Sequence, residues 1–600
     1  MQKAETVLSI LKQKSKQDES YVYDRIYRNF FNEDFFMRAY QKIHAKQGNM
    51  TPGTDGETID GFNKKQVAKL IELLKGERYQ PKPVRRTYIP KKNGKKRPLG
   101  IPTFTDKLVQ EVARQLLQAI YEPIFSDNSH GFRPNKSCHT ALHQIKSTCR
   151  GTNWIVEGDI TACFDNIDHD ILLALLSKKI RDGRFLELIR RFLKAGYLEF
   201  KQKHNSLSGT PQGGIISPIL ANIYLHEFDK FMEEIASEYT KGKTRRPQHE
   251  YHLLSGRRTY ALNKGQLEKA AELLRQMQSM PALDPMDERY LRVKYVRYAD
   301  DFVICIIGSK AMAEEIKGRI SEFMRDKLHL ELNAEKTKIT NLSDERVRFL
   351  GYEISKSQEN TKQVVDSIGR KKRSVNGTIQ LLVPGEVIWE KLKPFRKRGK
   401  SCHYAARVNL PVMDIINLYN AEIRGLYNYY CLATDVSKKL ATFKFYHYYS
   451  MVKTIARKEK TTVPKVFKKY GINVPRKVGT GTIRVIGIKY NTKSGMNTML
   501  YLNDSLKMVK KPLDEVSDQF GQGFSGGQLM KRFNANVCEL CCTETKNLQI
   551  HHVRKLKDVV KKYRKRGASV PYSVQMMAVI KRKTLVVCHE CHVKIHNGEL

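Results

Sequence analysis

Two adjacent carboxylates, Asp300 and Asp301, follow Tyr298-Ala299 at a point where the chain reverses between two apolar, β-branched runs. Val293 to Val296 precede the turn and Phe302 to Ile307 follow it, a pattern that predicts a hairpin presenting both acids at its tip. Alone, an Asp-Asp turn is more often a solvated loop tip. Like charges held close in a folded site call for a cation, so the chemistry on offer is a divalent-metal site. A third acid, Asp159, ends another short apolar strand, Trp154-Ile155-Val156-Glu157-Gly158-Asp159. Asp159 with Asp300 can hold two ions, with Asp301 as an accessory carboxylate, and two ions can clamp both oxygens of a phosphoryl transfer. The other parts of such a site are also present. Lys91 and Arg97 can bind a triphosphate, Phe164 can abut the sugar and exclude a 2′-hydroxyl, and Gln212 can contact the incoming nucleotide. Lys336 can protonate the leaving pyrophosphate.

A second chemistry sits near the end. Cys538-x2-Cys541 and Cys588-x2-Cys591 are two knuckles at the spacing of a tetrahedral zinc site, closed and therefore structural, and Cys542 stands beside them as a bystander. A module this short needs the metal in place of a core. His551-His552 ends a strand-like stretch, and His592-x3-His596 puts two imidazoles on one helix face.

The elements that must position these groups can be read coarsely. A basic hairpin turns at Asn93-Gly94. A helix follows, capped near Thr105 or Asp106, with Leu108, Val112, Leu116 and Ile120 on one face. Asp168 caps a helix from His169 to Ile180. A glycine-rich loop, Gly209 to Gly214, leads to a helix capped by Ser217. Apolar residues from Val412 to Tyr430 recur at helical spacing, and another helical stretch runs from Ser437 to Arg457.

Bulk composition narrows the partner. Lys and Arg number 107 against 62 Asp and Glu, a net charge of +45 that favours a phosphate-rich partner. No apolar run reaches membrane-span length, no basic helix has a matching apolar face, and Met1 to Ser20 lacks a signal-peptide core. The expectation is a cytosolic protein of several domains, too long for one core.

In order, the chain shows a basic hairpin, strand-Asp-x4-Phe-Asp, Pro-Gln-Gly-Gly, Tyr-Ala-Asp-Asp and Phe-Leu-Gly-Tyr. That series resembles reverse transcriptases. Arg97-Pro98-Leu99-Gly100-Ile101-Pro102-Thr103, His130-Gly131-Phe132-Arg133-Pro134 and Gly158-Asp159-Ile160-x-x-Cys163-Phe164-Asp165 are similar more narrowly to the multifunctional proteins encoded by group II introns. The resemblance implies an α+β multidomain chain. Right-hand polymerase fingers and palm would fill 1–365, with a family-type insertion at 238–292 that is either an RNA contact or a helical spacer. An α-helical thumb, the maturase domain, would fill 366–490 and carry the Tyr419 to Tyr430 signature. Its RNA-contact candidates are Arg424, Tyr427 and Tyr429, with Lys371 and Arg373 upstream; which tyrosines stack and which are core stays open. A DNA-binding region would occupy 491–530, and a small zinc-stabilised ββα-type HNH module 531–600. By the same resemblance His552 is the general base, and His551, His592 and His596 hold one catalytic ion. Thr584 stands where many HNH proteins have asparagine, leaving Asn547 and Asn597 as substitutes.

The implied cofactors are Mg2+ for polymerase and nuclease, the latter accepting other divalent ions, and structural Zn2+. The implied partners are the protein's own intron RNA, duplex target DNA and dNTPs, with a homodimer allowed and no membrane. A bacterial, nucleoid-associated cytoplasmic location is expected rather than an organelle. A splicing factor without catalysis is disfavoured by the three acids, a retron-like enzyme by the thumb signature, and a viral polymerase by the zinc-histidine tail.

Overall fold

The computed structural model describes residues 2–90, 94, 96–199, 202–204, 213–359, 362, 364–365, 368–369, 371–372, 375–476, 480–492, 495–512, 527–553 and 570–600. At its centre is a four-stranded antiparallel sheet. Its strands run in the order Arg292–Tyr298, Asp301–Ile307, Trp154–Asp159 and Lys338–Asn341. The apolar runs on both sides of the acidic turn thus pair as a hairpin, Tyr298 opposite Asp301, with Ala299 at φ 58° making the reversal. Phe302 lies across Gly158, where an added Cβ would stand 2.0 Å from the ring, so only glycine fits next to Asp159.

Each face of this sheet feeds a different core. One face packs on the helices Phe104–Tyr121, Ser217–Tyr239 and Lys310–Leu328 and merges with the N-terminal helices. The other face packs on Cys138–Thr148 and on the helical thumb, built mainly from Val412–Tyr430 and Val436–Lys458. The C-terminal module is not a separate droplet. Its Phe533, Leu548, Ile550 and Leu585 join the same core as Tyr40 and Phe62 of the fingers, so its zinc knuckles supplement a shared core rather than replace one.

Several local expectations shift. Thr103 caps the helix Phe104–Tyr121, accepting from the Asp106 amide at 3.1 Å, ahead of the Thr105 or Asp106 expected. Ser217 is the first helical residue and Ile216 the uncapped N-terminus, because Pro218 follows at once and fixes a helical φ. Asp168 caps its helix as expected, though that helix closes at Ser177. Two sheets cross expected domain boundaries. Tyr352–Lys356 pairs with Ile379–Leu382 across residue 365, and Thr482–Thr492 pairs with Gly495–Leu500 across residue 490. The 238–292 insertion carries two helices, His249–Asn263 and Leu267–Ser279, packed on a small core of Leu254, Ala261, Ala270, Leu273 and Met277. Among the described residues, no helix is long and apolar enough to cross a membrane.

Candidate functional sites

The acidic site is made by strand register. Asp159 stands directly opposite Asp301, and Asp300 occupies the turn one residue before it. Burial raises the Asp301 carboxyl to about 7, helped by a hydrogen bond with Asp159 and by the charges of Asp300 and Asp159. Burial and the Asp159 charge raise Asp300 as well, against the opposing pull of Lys336 and Arg97. The site therefore resists its own ionisation, the signature of acids waiting for a cation. Lys336 Nζ reaches Asp159 Oδ2 at 2.8 Å, which raises the lysine and keeps it charged. The loop carrying Lys336 is tied down by Asn333, whose amide donates to the Asp159 carbonyl at 2.8 Å. A cavity of about 300 Å³ opens here, lined by Glu157, Asp159, Asp301, Lys336, Lys338 and Arg348.

A residue that sequence reasoning passed over braces the turn. Arg297 is fully buried and paired with Asp229 at 2.6 Å. It also donates to the Ala299 carbonyl at 2.9 Å and to Ser129 Oγ at 2.8 Å. Tyr295 donates to the same Asp229 at 2.8 Å. The available signal was its phase: Arg297 shares the inward face of its strand with Tyr295 and Val293. The neighbouring loop is equally close, since a Cβ on Gly131 would meet the Ala299 nitrogen at 2.3 Å.

Other polymerase candidates are placed as follows. Arg97 lies on the basic hairpin opposite Ile89, near enough for its charge to act on Asp300. Phe164 follows Asp159 on the short helical turn Cys163–Asn166, edge-on to Phe132 at 6.4 Å. Lys91 and Gln212 lie outside the described residues, as does Arg373, and of Lys371 only the backbone is described. On the thumb, Arg424 is exposed. Tyr427 and Tyr429 spend their hydroxyls inside the protein, on the carbonyls of Lys507 at 2.8 Å and Leu350 at 2.9 Å. Tyr429 thereby joins thumb to palm, and its hydroxyl is committed to that joint rather than to RNA.

The thiols of Cys538, Cys541, Cys588 and Cys591 lie within 4.8 Å of one another. Cys542 stands outside that set with a left-handed backbone. Four soft donors at tetrahedral spacing fit zinc.

Two antiparallel strands, Leu548–His552 and Thr584–Cys588, and the helix His589–Asn597 build the histidine site. His551, His592 and His596 converge with a fourth group, the Asp60 carboxylate of the fingers, all within 4.8 Å. Asp60 lies 2.8 Å from His596 Nε2, 3.4 Å from His592 Nε2 and 3.2 Å from His551 Nδ1. No hydrogen bond is aligned on the buried His551 Nδ1, and such a nitrogen beside a carboxylate fits a metal ligand. Three imidazoles and one carboxylate suit a transition ion better than Mg2+. Burial would raise Asp60, yet the neighbouring His551 and His592 imidazoles and the His552 amide outweigh it and pull the carboxyl far down.

His552, expected to serve as base, points elsewhere: its Nε2 meets the buried Tyr40 hydroxyl at 2.6 Å, and burial lowers it to about 4. Thr584 stands opposite His552 in the ladder with its hydroxyl on Arg532 at 3.1 Å, and the Asn597 amide is on Glu599 at 3.0 Å. Asn597 therefore does not substitute at the site. His589 pairs with Gln549 at 3.0 Å, away from the histidine cluster.

Comparison with known proteins matches three family models in series. A reverse transcriptase (RNA-dependent DNA polymerase) model fits residues 89–246 and 269–354, a type II intron maturase model 381–522, and an AI2M/AI1M-like HNH endonuclease model 538–592. The unmatched gap falls within the two-helix insertion. The group II intron-encoded protein LtrA of Lactococcus lactis subsp. cremoris is 41% identical, over 98% of each chain. A 91 kDa protein in the cob intron of Schizosaccharomyces pombe is 34% identical, over 100% of this chain and 73% of its own. A telomerase from Candida albicans superimposes with a TM-score of 0.31 at 12% identity, covering 66% of this chain and 62% of its own, a likeness too slight to argue from.

Proposed function

The chain belongs to the group II intron-encoded proteins, and on that premise we propose how its residues divide the work of RNA-directed DNA polymerase, maturase and HNH endonuclease. The fit of a divalent ion at the polymerase site rests on the raised carboxyls of Asp300 and Asp301. Bound there, such ions stabilise charge on the attacking and leaving oxygens of phosphoryl transfer. Asp159 and Asp300 are the ligands, and Asp301 supports them from across the ladder. A primer 3′-hydroxyl attacks the α-phosphate of a dNTP and pyrophosphate leaves.

Lys336 neutralises Asp159 until that carboxylate is needed, then turns on its exposed stem to donate a proton to pyrophosphate. Arg97, with Lys91 and Gln212, holds the triphosphate and base, and Phe164 walls off the sugar. Arg297 acts at one remove, as a positioning residue for the turn. The observation that carries this reading is the meeting of Asp159, Asp300, Asp301 and Lys336 at one end of the two central strands.

The maturase half grips the protein's own intron RNA through its basic surface, Arg424 included, and the particle engages duplex DNA. The HNH module nicks one DNA strand. Its His551, His592 and His596 hold the ion, and His552 takes a proton from water. The freed 3′-hydroxyl primes copying of the intron. Zinc at the four cysteines maintains the module's fold, and the site of action is the bacterial nucleoid. Crosslinking in the native host with sequencing of the bound RNA tests this. An excised intron containing this reading frame is expected, and a dispersed set of unrelated RNAs would remove the maturase role.

A further inference from the structure

The histidine cluster is completed from an unexpected place. Asp60 and His592 are 532 positions apart, and Asp60 belongs to the fingers. The segment around it is built against the module like an added strand. Phe62 bridges Ile550 in antiparallel register, with Gly61 N donating to Ile550 O at 3.0 Å and Ile550 N to Phe62 O at 3.0 Å. The His552 amide donates to Asp60 Oδ1 at 2.6 Å. Gly61 has φ +77°, a left-handed backbone that favours glycine at this turn beside His592. Tyr40, stacked on Phe62 at 3.9 Å, puts its hydroxyl on His552 Nε2.

Two contacts from one surface of the fingers thus bear on the two groups that cleavage needs. A catalytic ion keeps a coordination position open for water or substrate. With three histidines and Asp60 around it, a four-coordinate set is full, and a six-coordinate ion is left two positions instead of three. A general base needs a nitrogen within reach of the water whose proton it takes. The Nε2 of His552 is occupied by Tyr40, which fixes the direction in which the ring faces.

We propose that Asp60 is the fourth protein ligand of the nuclease ion, supplied by the fingers, and that with Tyr40 on His552 it holds the nuclease latent until the module parts from the fingers. This rests on the nuclease reading of the histidine cluster. Parting frees the coordination position for a DNA phosphate and the imidazole for water in one movement. The ion is then also a clamp: it joins two regions of the chain while the nuclease is idle.

The test uses full-length protein free of RNA. Amide exchange is followed at residues 58–62 and 548–552 with and without Mn2+, and nicking of supercoiled duplex DNA is measured on the same samples. In the wild type, Mn2+ slows exchange at both segments by about tenfold or more, and nicking is barely detectable. Asp60→Asn loses the Mn2+-dependent protection and nicks about tenfold faster or more. Tyr40→Phe, whose hydroxyl alone is removed, keeps the protection and nicks a few-fold faster. Equal thermal midpoints for the variants and the wild type exclude misfolding as the cause.

Mn2+-dependent protection that persists in Asp60→Asn overturns the ligand assignment. Nicking that is unchanged or slower in Asp60→Asn overturns the latency. The intron-bound wild type serves as the positive control. Should it also fail to nick target DNA, the nuclease reading falls and this inference with it.

Discussion

The polymerase and nuclease sites solve opposite electrostatic problems. The polymerase site gathers acids that repel one another on a single sheet, with burial raising Asp300 and Asp301 and Lys336 bonded to Asp159. It is unsatisfied by its own protein and opens to a cavity. The nuclease site gathers three histidines around one carboxylate held far below its ordinary value, opposite in charge character to the acids of the palm. The first is poised by repulsion and ready for ions. The second is balanced and closed by a segment from the other end of the chain. The difference teaches that readiness is set less by which residues are present than by what the rest of the fold leaves unpaired.

The largest expected effect separates the two sites outright. Asp300→Asn lowers extension of a primed RNA template by about 10³-fold or more, since a ligand charge acting on the transition state is lost. DNA nicking by the same variant, loaded with intron RNA, stays at wild-type rate. Equal losses in both assays would break the comparison.

The converse change is Cys538→Ser. Removing one of the four knuckle thiols loosens the strands and helix that carry the histidines, although the shared core with Tyr40 and Phe62 remains. Nicking is abolished while primer extension stays within about twofold, because the palm sheet does not depend on the knuckles.

Arg297→Met tests whether the acidic turn is braced by its own buried ion pair. It leaves the Asp229 charge buried and alone, at a cost of about 3–5 kcal/mol in denaturant unfolding. Replacing Asp229 by leucine in the same chain recovers most of that loss. A loss under 1 kcal/mol would show the brace to be dispensable.

The smallest effect is the most diagnostic of repulsion. A carboxyl raised from 3.8 to about 7 binds more protons folded than unfolded over that interval, so metal-free stability falls as pH rises from about 4 to 7 and stays low above it. Asp301→Asn removes this penalty. It stabilises the metal-free protein at pH 8 by up to about 4 kcal/mol and leaves it unchanged near pH 3. In the wild type, Mg2+ restores stability at pH 8, and the Mg2+ needed for extension rises as pH falls below 7. Calorimetric melts at both pH values check the sign.

How far each site could be read from sequence follows from the same contrast. Asp159, Asp300 and Asp301 were legible because strand alternation and one tight turn place them, and both are local. The meeting of the four cysteines was legible from spacing. Arg297 was passed over because a charged residue in a strand reads as its solvent face, whereas its partner Asp229 lies on a helix 68 positions away.

Asp60 offered no signal at all. Asp-Gly reads as an ordinary turn, and only the folded chain brings it to histidines some 490 or more positions later. Which thumb tyrosines pack and which face outward stayed open, because the hydroxyl partners of Tyr427 and Tyr429 are backbone carbonyls that sequence does not mark. The expected domain boundaries at 365 and 490 fell on short basic or polar stretches that strands in fact cross.

The central claim is that two separate sites in one chain perform two linked reactions on one DNA strand. It is tested by following cDNA made by the intron-bound protein on intact duplex target. The account predicts labelled cDNA covalently continuous with the nicked strand for the wild type and a nick without cDNA for Asp300→Asn. For His592→Ala it predicts neither product on intact DNA, but normal extension from a pre-nicked target. Copying of intact target by His592→Ala at the wild-type rate, or absence of the nick in Asp300→Asn, would contradict it.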